Sequence, residues 1–111
     1  MLTVQFTLNG AEYMALNGGP QYQFSPVVSL VACCDSQEEL DSLWQKLSEG
    51  GQQSQCGWLI DRYGVSWQIV PRTMRKLLNS PEGAAAQRSF AAKMTMTKLD
   101  MVAIQRAYDS A

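Results

Sequence analysis

From Leu2 to Leu8 the chain alternates apolar and polar residues (Leu-Thr-Val-Gln-Phe-Thr-Leu), the two-residue period of a half-buried strand. Asn9-Gly10 follows, a pair that tolerates positive φ at both positions and so suits the type I′ turn of a tight hairpin. Ala11 to Leu16 is then the returning strand. A two-residue loop sets Leu8 opposite Ala11, Phe6 opposite Tyr13 and Val4 opposite Ala15 on one side, which is apolar and is expected to meet a helix. The other side sets Thr3, Gln5 and Thr7 across from Leu16, Met14 and Glu12, a mixed surface suited to ligand or solvent. Asn17-Gly18-Gly19-Pro20 ends the strand, and Gln21 to Pro26 reads as a loop. Val27 to Cys34 is an unbroken apolar run of strand length, the pattern of a strand buried on both faces.

The period then changes. After Asp35-Ser36, either of which can cap, Leu40, Leu43, Trp44 and Leu47 recur at the spacing of one helix face, with acids in the first turn. Gly50-Gly51 stops this helix. Residues 52–56 predict a short edge strand and 56–60 a clearer one. Asp61-Arg62-Tyr63-Gly64 is a turn, Val65 to Val70 the last strand, and Pro71 its end. Beyond it the chain is helical: a short helix over Arg72–Asn79, one from Pro81 to about Thr97, and one over Leu99–Tyr108.

If Ile60 pairs with Val65, Trp58 pairs with Trp67 on a face read as core against a helix. Leu59 and Gly57 then lie across from Ser66 and Gln68 on the opposite face, with Gly57 leaving open space above the Gln68 amide. A bulge at Gly64 would slip this register by one residue.

Composition narrows the chemistry. The 111 residues suit one domain, 46% are hydrophobic, and the net charge is −1, so no long-range field points to nucleic acid or an acidic membrane. Residues 72–98 hold six Lys/Arg against one acid, while 35–49 hold five acids against one Lys. Without interleaved aromatic residues to stack on bases, these read as solvated helices that partly neutralise each other, not as an RNA-binding face. Nothing approaches the roughly 20 apolar residues of a membrane span or resembles a leader, so a cytoplasmic location is the expectation. The three cysteines are expected to be reduced, small and buried. Cys33 and Cys34, adjacent in a strand, point to opposite faces and cannot grip one metal together. The chain contains no histidine to activate a thiol or ligate an ion.

Three stretches carry a resemblance: residues 11–51, with Ala15-Leu16-Asn17-Gly18-Gly19-Pro20; residues 55–71, with Gln55-Cys56-Gly57-Trp58-Leu59 and Ser66-Trp67-Gln68-Ile69-Val70-Pro71; and the helical tail. Together they resemble the PhnB-like branch of the glyoxalase/bleomycin-resistance/dioxygenase (vicinal oxygen chelate) superfamily, often labelled 3-demethylubiquinone-9 3-methyltransferase. The resemblance implies an α+β fold in which βαβββ modules form a cupped mixed sheet, usually dimeric, here with C-terminal helices. By that pattern the chain starts at the third strand of a first module, which is partial, and Val27 to Val70 is a complete second module. Residues 1–71 are thus expected to hold both modules and 72–111 to extend the same domain. An exposed sheet edge would follow, and with it a homodimer, with or without exchanged strands. Gln68 falls where metal-using relatives usually keep a glutamate on the closing strand. With an amide there, no histidine, and Glu12 the lone inward carboxylate (read as solvated), the usual ligand set cannot be built.

The sequence therefore predicts a metal-independent small-molecule-binding module, with no cofactor, no metal and no catalytic residue assigned. An amphipathic ligand would be held by Gln5, Met14, Asn17, Gly57, Ser66 and Gln68. The alternatives are an enzyme of the superfamily, metal-assisted or methyltransferase-labelled, and a structural protein acting as a homodimer. For a methyltransferase, no Gly-rich loop follows a first strand to hold a methyl donor.

Overall fold

The computed structural model describes residues 1–110. The elements run β1 (Thr3–Leu8), β2 (Ala11–Leu16), β3 (Ser29–Cys34), α1 (Gln37–Ser48), β4 (Gln52–Gln53), β5 (Trp58–Ile60), β6 (Ser66–Pro71), α2 (Met74–Leu78), α3 (Gly83–Met94) and α4 (Met101–Asp109). Two sheets form: the ribbon β1-β2, and a mixed sheet ordered β3-β6-β5-β4 in which only β3 and β6 are parallel. The second is a βαβββ unit whose crossover is α1, and its outer strand β3 has β6 on one edge only. The protein is elongated, 57 × 27 × 25 Å.

Asn9 and Gly10 take φ of 50° and 84°, the backbone a type I′ turn needs, and the ribbon pairs in the expected register. Its apolar side does not meet a helix. Val4, Phe6, Leu8 and Tyr13 stay 40–44% exposed. Phe6 and Tyr13 stack at 5.7 Å between ring centroids, and Leu8, Ala11 and Tyr13 look across a cleft of about 690 Å³ at β3.

The helix α1 begins where capping chemistry permits. Ser36 Oγ accepts from Glu39 N at 3.1 Å, and Glu39 reaches back to accept from Asp35 N at 3.2 Å. Its apolar stripe places Leu40 and Trp44 in a cluster with Cys34, Leu59, Ile69, Met74, Leu99 and Ile104, all buried. The tail is fastened to α1 by Gln37. Its Nε2 donates to Leu99 O at 3.0 Å while its Oε1 accepts from Met101 N at 2.8 Å, and Lys98 meets Asp41 at 2.9 Å. Gln37 Nε2 also donates to Asp41 Oδ1 at 2.8 Å, and this bond first and Lys98 second hold the Asp41 carboxyl below the usual carboxylate range.

Three further expectations are corrected. First, β3 begins at Ser29 rather than Val27 and is covered on one face only: Cys34 is buried, but Val31 is 54% exposed and Cys33 is exposed. Second, Ile60 pairs with Ser66, Leu59 with Trp67 and Trp58 with Gln68, so the two tryptophans lie on opposite faces. The slip has a local cause. Asp61 N donates to Val65 O, leaving a three-residue loop that ends in Gly64 at φ 93°, the bulged turn in which a left-handed residue closes the hairpin. Asp61 secures it by accepting from Tyr63 N, Val65 N and the Trp67 indole N–H at 2.9–3.0 Å. Third, the tail helices start later than expected, at Met74, Gly83 and Met101. Asp100 caps the last of these, accepting from Ala103 N at 3.1 Å.

Candidate functional site

Alternation along β3, β5 and β6 divides the mixed sheet into two faces. Ala32, Cys34, Leu59, Trp67 and Ile69 pack into the core beneath α1. The other face carries Ser29, Val31, Trp58, Ser66, Gln68 and Val70, as the strand partners Ser29↔Ser66, Val31↔Gln68 and Trp58↔Gln68 require.

Gln68 sits at the centre of this second face. Its Nε2 donates to Ser29 Oγ at 3.0 Å across the parallel pair, which fixes the amide's orientation. Ser66, one pleat away, is 2% exposed, and its Oγ is buried without a hydrogen-bond partner. An unpaired buried hydroxyl costs about 1–3 kcal/mol, and Ser66 also borders a hollow. That hollow, of about 400 Å³, is lined by Phe24, Val28, Leu30 and Val65 besides Ser29 and Ser66.

The predicted site residues fall into three places. Ser66 and Gln68 share the uncovered face. Gln5 and Met14 are cross-strand partners on the mixed side of the β1-β2 ribbon. They border a depression of about 420 Å³ with Phe6, Thr7, Glu12 and Tyr13. Because neighbours along a strand point to opposite sides, that depression wraps the ribbon's edge and is not a walled cup. Asn17 clasps the ribbon's open end, with Nδ2 donating to Met1 O and its backbone N to Leu2 O, both at 2.8 Å. Gly57 does not leave space above Gln68. At φ 85° it lies against the core, where an added Cβ would stand 3.0 Å from the Leu99 side chain and 3.1 Å from Ile69 O.

Sequence reasoning missed several residues that border Gln68. A groove of about 460 Å³ runs from Val31, Cys33, Gln68 and Val70 to α2 and α3, taking in Arg75, Leu78 and Lys93. The signal for Val31 and Cys33 was available: they share the parity of Ser29 on β3. Arg75 and Lys93 carried none, because their approach to the sheet is set by the tertiary course of the tail. Arg72 also lines the groove, but its Nε is bound to Asp35 at 2.7 Å, and that contact raises its pKa further above the usual value.

A metal centre does not fit these groups. Gln68 offers an amide, the chain has no histidine, and among the described residues no group of three His, Cys, Asp or Glu side chains is placed to hold an ion. Cys34, the most deeply buried thiol, is pushed up to about 11 by burial and by the Glu39 charge. No helix of the described residues is long and apolar enough to cross a membrane.

Residues 1–70 match the family described as 3-demethylubiquinone-9 3-methyltransferase. Among solved structures, the chain is similar to a PhnB protein of Bacillus cereus at 34% identity and a TM-score of 0.58. That match covers 62% of this chain and 63% of that one, less than two thirds of the relative's length. It is also similar in fold to protein PA1353 of Pseudomonas aeruginosa, at 23% identity and a TM-score of 0.52 over 63% of this chain and 61% of that one. No curated protein matches. The tail beyond residue 70 lies outside the family match, so the resemblance seen in the sequence is confirmed for the strands and α1 but not for the last three helices.

Proposed function

The chain belongs to the PhnB-like family described as 3-demethylubiquinone-9 3-methyltransferase, with a glyoxalase-like α+β fold, and on that premise we propose that it is a metal-independent small-molecule-binding module. The ligand lies on the uncovered face of the mixed sheet, beside Gln68 and Ser66. The observation that carries this reading is the buried, unpartnered Ser66 hydroxyl next to an amide already oriented by Ser29. An amide, two hydroxyls and the Trp58 indole orient a ligand by hydrogen bonds and apolar contact, and none of them exchanges protons readily near neutral pH. That chemistry favours binding over catalysis. Metal independence is supported by the donor set: an amide oxygen beside serines is a poor site for a divalent ion.

The family's cup is completed by a second copy of the chain in this reading. The support is the ribbon's apolar side, where Val4, Phe6, Leu8 and Tyr13 are exposed, together with the free outer edge of β3. A two-stranded ribbon with an open apolar side is marginal alone, and a free strand edge invites pairing. Residues 1–71 are then the strand-bearing body and 72–111 an extension of the same domain.

The test is a fluorescence titration against a metabolite library. Trp58 is the reporter because it shares the ligand face, whereas Trp67 is turned to the core and tied to Asp61. Saturable quenching lost in Gln68→Ala and Trp58→Phe supports the reading. Quenching unchanged in Gln68→Ala overturns the placement. Sedimentation at several concentrations checks the second copy, and a monomer throughout the micromolar range rules it out.

A further inference from the structure

The groove between the uncovered face and α2–α3 has an electrostatic character that the strands alone do not supply. Its floor is apolar, with Val31, Val70 and Leu78, and its charged lining is Arg72, Arg75 and Lys93, with no carboxylate among the lining residues. Arg72 is spoken for by Asp35. Arg75 and Lys93 form no ion pair among the described residues. Two uncompensated cations therefore border one half-apolar groove in a chain whose net charge is −1, so the local excess is not a by-product of a basic protein. Both cations come from the tail, outside the family match.

We propose that this groove binds amphipathic monocarboxylates, with the carboxylate at Arg75 and Lys93 and the apolar part on Val31, Val70 and Leu78. The inference rests on the reading of the Gln68 face as a binding surface and names its ligand class. An anion is preferred over a neutral analogue because it neutralises charges already present, and charge-assisted hydrogen bonds to guanidinium and ammonium are about twice as strong as neutral ones. The volume of about 460 Å³ falls at the small end of ligand pockets, which fits a compact acid.

Cys33 supplies the readout, because it lines the same groove and is exposed, whereas Cys34 on the other face is buried. The unmodified chain is alkylated with iodoacetamide in the presence of octanoate, octanol or octylamine, and labelling at Cys33 is followed by peptide mass spectrometry. Octanoate should protect Cys33 at roughly tenfold lower concentration than octanol, and octylamine least of all. In Arg75→Gln/Lys93→Gln the octanoate advantage should disappear while protection by octanol persists, which shows that the variant is folded and its groove intact. Equal protection by octanoate and octanol in the unmodified chain overturns the carboxylate assignment but leaves the binding surface standing. If no probe protects Cys33 while library compounds still quench Trp58, the groove is the wrong place on the right face. If neither signal appears, the binding reading itself fails.

Discussion

The β1-β2 ribbon and the β5-β6 hairpin are both closed by a left-handed glycine, Gly10 at φ 84° and Gly64 at φ 93°, and both carry alternating side chains. Their circumstances are opposite. Leu59 and Ile69 of the second hairpin are fully buried, whereas every residue of the ribbon is exposed. The difference lies in cover. Behind β5 and β6 stands α1, with Leu99 of the tail closing the layer, and the ribbon has no equivalent within the chain. An alternating strand states which residues share a face, and a distant element decides whether that face is buried.

The comparison is broken or sharpened first by emptying each apolar surface in turn. Leu40→Ala removes a fully buried side chain from the cluster under the sheet and should lower unfolding free energy by about 3 kcal/mol in urea titrations at every protein concentration. Phe6→Ala should cost about 0.5–1 kcal/mol in dilute solution, where Phe6 is 41% exposed and stacks on Tyr13, and should weaken association at higher concentration if a second copy covers the ribbon. Equal costs for the two variants in dilute protein would mean that the ribbon belongs to the chain's own core.

A smaller effect separates the glycines. At Gly10 an added Cβ meets nothing within 4 Å, so Gly10→Ala carries only the penalty of a left-handed residue, about 1 kcal/mol. Gly57→Ala carries the same penalty at φ 85° and also presses on Leu99 and on the Ile69 carbonyl, so about 2–3 kcal/mol is expected from thermal or urea unfolding. If Gly57→Ala is no worse than Gly10→Ala, Leu99 yields easily and the tail is only loosely seated on the sheet.

How much of this was legible follows from the range of each signal. The ribbon's register was readable to the residue because Asn9-Gly10 is a local instruction, and α1 was readable because Ser36 and the Leu40/Leu43/Trp44/Leu47 stripe are local as well. The β5-β6 register was not. Both candidate pairings keep an apolar residue opposite Trp67, and the choice rests on Asp61 taking Val65 as its partner. Parity on β6 does not depend on that choice, so Gln68 lies on the opposite face from Trp67 under either pairing. The place of Gly57 was not legible, since its true neighbour, Leu99, lies 42 positions away in sequence (99 − 57) and belongs to the tail. Arg75 and Lys93 were legible only as members of a basic stretch, and their meaning comes from the groove they border.

The last expected effect emerges only at alkaline pH and concerns two adjacent residues that carry the same comparison down to one peptide unit. Cys33 and Cys34 point to opposite faces of β3, as adjacent strand residues must: Cys33 is exposed and Cys34 has no accessible surface. Burial first, and the nearby Glu39 charge second, push the Cys34 thiol from an ordinary 9.0 up to about 11. Between those values the unfolded chain has released the Cys34 proton and the folded chain still holds it, so unfolding is coupled to proton loss. Stability contributed by this thiol is thus fully present below pH 9 and declines as pH rises toward 11. Urea midpoints taken from pH 8 to 10.5 should fall more steeply in the unmodified chain than in Cys34→Ala, where the group is absent, and Cys33→Ala should keep the steep slope. Over the same range a disulfide-exchange reagent should label Cys33 promptly and Cys34 only at the rate of unfolding. Prompt labelling of Cys34 would show that β3 loosens from β6 and α1 in the native state. In that event the covered and uncovered faces of the sheet would differ in degree and not in kind.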